Sequence, residues 1–221
     1  MDIPKLVIST ALRQIKKSVS PSLTGQPMVD AFLGAAVRSM DVDRFEDEYD
    51  KRKVIDVQAV EVNDLQERID LLARLTKDAA LSAPIRQKAV EISAHCRAED
   101  KACIASAVFD FAKSSATFRE EYQEQFFDPR LYVREEDRLS VADCDDYTSL
   151  ISSLLLASGI GIGEEKIIWR ITGQNNQASH IFPLAPVGMG QYLAMDATLE
   201  DPIGTDLSQT QQQLIADFPL N

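Results

Sequence analysis

Between Tyr147 and Gly163 the chain carries no charged residue. A helix without charge anywhere on its circumference must be covered on more than one side. The segment Val141–Gly159, VADCDDYTSLISSLLLASG, therefore predicts the helix around which the rest is assembled. Tyr147, Leu150, Ile151, Leu154 and Leu155 make one stripe, while Ser149, Ser152, Ser153 and Leu156 make a small-residue face for close packing. Cys144 lies one turn before Tyr147 and Thr148, at the N-terminal tip. Backbone N–H groups and the positive dipole end concentrate there and favour thiolate over thiol. Asp145 and Asp146 suit the same dipole, yet two carboxylates beside a thiol push its pKa back up.

The rest of the composition limits what such a helix can serve. The 221 residues fit one domain with an extension, or two small ones. A net charge of −12 argues against nucleic acid, because phosphate binding needs clustered Lys and Arg. No stretch reads as a membrane span or a secretory signal, so the expected location is cytoplasmic. Three cysteines, an odd number, do not suggest a disulfide framework.

Residues 1–60 differ in pattern from the remainder of the chain. Ile8, Leu12, Ile15 and Val19, then Val29, Phe32, Leu33, Ala36, Val37 and Met40, recur at helical spacing on either side of Pro21, Gly25 and Pro27. Two short amphipathic segments cannot bury themselves unaided. They either pack on the main domain or form an arm that docks on a second copy or a partner protein. The acidic run Asp41–Asp50 reads as a solvated face.

Asn63 is the expected cap of a helix to about Ala80, with Leu65, Ile69, Leu72 and Leu75 inward. Ser82–Pro84 opens a second helix, and a third starts near Glu99 with Ile104, Val108 and Phe111. Beyond Gly159, Gly161 and Gly163 the period changes. Lys166–Thr172, Ser179–Ala185 and Gln191–Ala197 read as strands, with Pro183 demoting the second to an edge or a bulge. Helices, a cysteine helix, then antiparallel strands make an α+β class. The tail after Pro202 offers little to a core. The expected division is an arm over 1–60, a domain over 61–203 and a polar tail over 204–221.

Three groups on separate elements carry the candidate chemistry: Cys144, His180 and Asp196. A cysteine nucleophile needs a base to take its proton, and the base needs a third group to fix its tautomer. The segments around them resemble the transglutaminase-like superfamily. ADCDDYTSLISSLLLASGI at Ala142–Ile160 is similar to its nucleophile segment, and ASHIFPLA at Ala178–Ala185 to its histidine strand. YLAMDATLE at Tyr192–Glu200 resembles its Asp-x-Thr strand, and FFDPRLYV at Phe126–Val133 its aromatic-Asp-Pro segment. Ala142 departs from the usual Gly before the Asp-Cys pair. The resemblance implies a papain-like fold, with Cys144 as nucleophile, His180 as base and later acid, and Asp196 as orienter. It also implies the Cys144 backbone N–H as an oxyanion donor.

Blander roles compete for these residues. A cysteine at a helix start is commonly a small apolar residue, and Asp196 could cap a turn. Cys96 and Cys103 fall on apolar helical stripes and read as core. His95, Cys96 and Cys103 match no common zinc spacing and lack a fourth ligand, and Asp143–Asp146 is no calcium loop. No metal or cofactor is expected. The expected function is cysteine-dependent acyl transfer on an amide of a protein or peptide, with water or an amine as acceptor. The alternative keeps the fold without the chemistry. The resemblance extends to small stand-alone proteins encoded among tailed-phage virion genes, which implies an assembly component with a partner docked through residues 1–60.

Overall fold

The computed structural model describes residues 65–120, 126–134, 138–206, 208 and 212–220. The expected arm over 1–60, its acidic run, the cap at Asn63 and the boundary near residue 60 lie outside the described residues. Within them the fold is α+β, with helices packed on an antiparallel sheet. Helices α1 (Leu65–Leu81), α2 (Ala83–Ser93), α3 (Lys101–Ser115) and α4 (Cys144–Ala157) precede the sheet. Its strands are β3 (Ile168–Gln174), β4 (Gln177–Gly188), β5 (Gln191–Ala194) and β6 (Gln213–Pro219), in the order β5-β4-β3-β6. Two short parallel strands, β1 (Thr117–Phe118) and β2 (Val141–Ala142), guide the chain into α4.

Helix α4 is covered on both flanks, as its lack of charge requires. Leu150, Ile151, Leu154 and Leu155 are fully buried in the main core. Its serine face is polar as well as small, and each hydroxyl has a partner. Ser149 Oγ lies 3.0 Å from Thr76 Oγ1 on α1, and Ser153 Oγ donates to the Thr76 carbonyl at 3.0 Å. On the sheet side, the Trp169 indole N–H donates to Ser152 Oγ at 2.8 Å. Gly159 ends the helix in the left-handed region at φ 84°, and the Ile160 N–H returns to the Leu155 carbonyl.

The inward face of α1 differs in detail from the expectation. Ile69 and Leu72 are buried, but Leu65 is exposed and Leu75 half-buried, and Thr76, Ala79 and Ala80 complete the face. A threonine goes inward because Ser149 meets its hydroxyl.

Two sheet expectations are overturned. Strand β4 is not an edge: it lies between β5 and β3, and it runs through both Pro183 and Pro186. A strand residue directs its N–H and C=O to the same neighbour. The Pro183 carbonyl accepts from the Met195 N–H, just past the end of β5. The missing N–H of Pro183 therefore faces that side, and no bond to β3 is lost. The ladder to β5 does shift register between Pro186 and Gly188. The second correction concerns the tail, whose residues Gln213–Pro219 form β6 and pair along β3 from Ile168↔Pro219 to Gly173↔Gln213. Arg170 on β3 bridges Asp217 on β6 and Asp206 in the preceding loop, and Leu220 is buried.

The cysteines also differ from expectation. Cys96 lies past the end of α2 and Cys103 in the first turn of α3, and they form a disulfide with Cα atoms 5.7 Å apart. They are not separate core thiols, and the pair runs against a uniformly reduced chain. Cys144 takes no part in that disulfide. No helix among the described residues is long and apolar enough to cross a membrane.

Candidate functional site

The tip of α4 is built by its own aspartates. Asp143 is the N-cap, its Oδ1 accepting from the Asp145 N–H at 3.1 Å and the Asp146 N–H at 3.2 Å. Asp146 closes a capping box by reaching back to the Asp143 N–H at 3.4 Å. This accounts for the carboxylates of Asp143 and Asp146, and Cys144 becomes the first helical residue.

Asp146 also fastens the aromatic segment upstream. Its Oδ1 accepts from the Phe127 N–H at 3.2 Å, and its Oδ2 lies 2.7 Å from the Tyr132 hydroxyl. Tyr132 is fully buried, and its hydroxyl is also 3.1 Å from the Val141 carbonyl. Burial, reinforced by the Asp143 carboxylate, raises the Asp146 pKa to about 8. The Tyr132 hydroxyl and the Phe127 and Asp143 N–H groups all donate to this carboxyl group and favour its charged form, but burial outweighs them. So one of the two carboxylates expected to oppose thiolate formation is neutral near pH 7. The Tyr147 hydroxyl, bonded to the Ala116 carbonyl at 2.7 Å, is pushed up to about 12 by burial and by Asp146.

His180 on β4 meets Asp196, which lies two residues past the end of β5. His180 Nε2 lies 2.6 Å from Asp196 Oδ2, with the His side chain 12% and the Asp side chain 2% exposed. Thr198 fixes the carboxylate through Asp196 Oδ1, by its N–H at 3.2 Å and its hydroxyl at 2.6 Å. One oxygen is thereby held by the turn and the other is turned to the imidazole. In the neutral ring the carboxylate selects the Nε2–H tautomer, which leaves Nδ1 as the acceptor. The His180 and Phe182 rings lie 5.6 Å apart.

Cys144 comes from the helix that rests on the same strand. The Thr148 hydroxyl is 2.7 Å from the Cys144 carbonyl and 3.1 Å from the carbonyl of Ile181, the residue after His180. One side chain therefore ties the cysteine turn of α4 to the histidine end of β4. Along β4, Ile181 and Ala185 join the core around α4, while Phe182 and Leu184 form a cluster on the other face. By that alternation His180 shares the Phe182 side.

The sequence reasoning missed Thr148, Thr198 and Tyr132 as the residues that position these groups. Thr198 was visible only as the last letter of Asp-x-Thr, and Thr148 only as the position one turn after Cys144. Tyr132 offered no local signal, because its partner lies 14 residues on. Comparison of the chain with protein-family models, with curated proteins and with solved structures finds no match.

Proposed function

We propose that this protein is a cysteine-dependent acyltransferase or amidase of transglutaminase-like, papain-like fold, acting on an amide of a protein or peptide. The observation that carries the reading is the His180–Asp196 pair at 2.6 Å, beside a helix that presents Cys144 as its first residue. The Cys144 S–H proton passes to His180 Nδ1, and the sulfur adds to the substrate carbonyl carbon. The tetrahedral oxyanion is met by the Cys144 backbone N–H. Collapse breaks the C–N bond, and the leaving amine takes the proton back from the imidazolium. Water or a second amine then adds to the thioester, and the thiol is restored. In this reading the thiol meets the imidazole around the helix tip, since His180 lies on the Phe182 side of β4.

Iodoacetamide labelling of the unreduced protein tests it, because Cys96 and Cys103 are then blocked and Cys144 alone reacts. The labelling rate should have its midpoint below the ordinary thiol value of about 8.5. His180→Ala should return the midpoint to that value or above it. Identical profiles in the two proteins would remove the enzymatic reading. The non-enzymatic assembly role, which keeps the architecture without the chemistry, would then take its place.

A further inference from the structure

The turn between α2 and α3 brings together three side chains that the proposed reaction does not use. Ligand atoms of His95, Cys96 and Cys103 all lie within 4.8 Å of one another. His95 is exposed and both cysteines are half-buried. A disulfide alone has no need of the imidazole. The turn is fixed by bonds other than the S–S link. The Cys96 N–H goes to the Ser93 carbonyl at 2.9 Å, and the Asp100 N–H to the Arg97 carbonyl at 3.0 Å. Asp100 caps α3 by accepting from the Cys103 N–H at 3.0 Å. The two sulfurs are thus held as neighbours by backbone and cap. Cys103, in the first turn of α3, also sits where the helix dipole favours thiolate.

We infer that His95, Cys96 and Cys103 form a binding site for a thiophilic divalent ion of the zinc class, occupied only when the Cys96–Cys103 disulfide is reduced. Two thiolates and an imidazole are the ligand set such ions prefer, and water fills the fourth tetrahedral position. A tetrahedral ion with Zn–S bonds of about 2.3 Å keeps its sulfurs roughly 3.7 Å apart, a separation that side-chain rotation supplies once the covalent bond opens. Reduction by a dithiol delivers two electrons and two protons to the sulfurs, and the reductant leaves as its own disulfide. The ion then displaces the two thiol protons. Disulfide and metal are mutually exclusive states of one site.

Cobalt(II) titration of the full chain carrying Cys144→Ser, which removes the third cysteine, tests this. The dithiol-reduced protein should take up one ion per chain, with thiolate-to-cobalt charge transfer in the near ultraviolet and the intense visible bands of a tetrahedral centre. The disulfide form should show neither. Cys103→Ser should abolish the charge transfer, and His95→Ala, on an exposed side chain, should weaken uptake by at least about tenfold. Absence of uptake by the reduced protein overturns the inference. So does uptake that is unchanged by His95→Ala or Cys103→Ser.

Discussion

Asp146 offers the sharpest test of how the cysteine helix is built. Its pKa is raised in the folded protein, by burial first and by Asp143 second, from an unfolded value near 3.8 to about 8. Between those values the folded chain holds a proton that the unfolded chain has released. Stability from this group is therefore full below about pH 4 and is lost as the pH rises toward 8. One proton of difference gives a slope of about 1.4 kcal/mol per pH unit, so roughly 3 kcal/mol between pH 5 and pH 7. Asp146→Asn keeps an acceptor for the Phe127 N–H and leaves the Tyr132 hydroxyl its other acceptor, the Val141 carbonyl. It gives up the long capping contact to the Asp143 N–H, a cost of about 1 kcal/mol. Asp146→Ala strands two buried partners and should cost about 3 kcal/mol at pH 5. Urea unfolding of the three proteins at pH 5, 6 and 7 reads these differences. The Asn variant should be level with or slightly above the parent at pH 5 and clearly above it by pH 7, with a flatter curve. Parallel curves for the parent and Asp146→Asn would show an ionised Asp146 and refute the neutral-acid arrangement.

Other consequences can be checked separately. Thr198→Val removes the hydroxyl bond to Asp196 and should slow Cys144 labelling while costing about 1 kcal/mol in stability; an unchanged labelling rate would show that the carboxylate needs no such support. Ser152→Ala leaves the buried Trp169 N–H without its acceptor and should cost about 1–3 kcal/mol by urea unfolding. Cys103→Ser, which opens a disulfide joining residues only seven apart, should lower stability by about 2 kcal/mol. Deleting the chain after residue 206 removes β6 and uncovers one edge of β3, and the expected result is loss of the cooperative unfolding transition, read by circular dichroism.

Much of this architecture was legible because it follows from local pattern. The uncharged run from Tyr147 required a doubly covered helix, and the glycines at its end gave the stop. The change from helical spacing to β-branched runs gave the α+β class. What was not legible depended on partners far along the chain. Strand β6 is short and half-exposed and follows a Gln-rich stretch, so it read as part of a polar tail; it is held by its pairing with β3 and by Arg170. Pro183 argued for an edge, and only the location of its missing N–H, past the end of β5, permits it inside the sheet. Ser149 on α4 read only as part of a small-residue face, and Thr76 on α1 gave no signal of its own; the pairing explains both. The pairing of His180 with Asp196 was expected from their types and order, whereas the support from Thr198 and the bridge through Thr148 needed coordinates.

The position of β6 has a consequence for how the chain acquires its sheet. Its partner β3 is synthesised well before it, together with the hairpin that carries His180, so one rim of that hairpin emerges from the ribosome bare. The α4 core can condense at that stage, but the rim stays open to strands of other chains until the final segment arrives. A nascent or nicked product that stops short of β6 should be the form that self-associates, and chains that include β6 the form that stays apart.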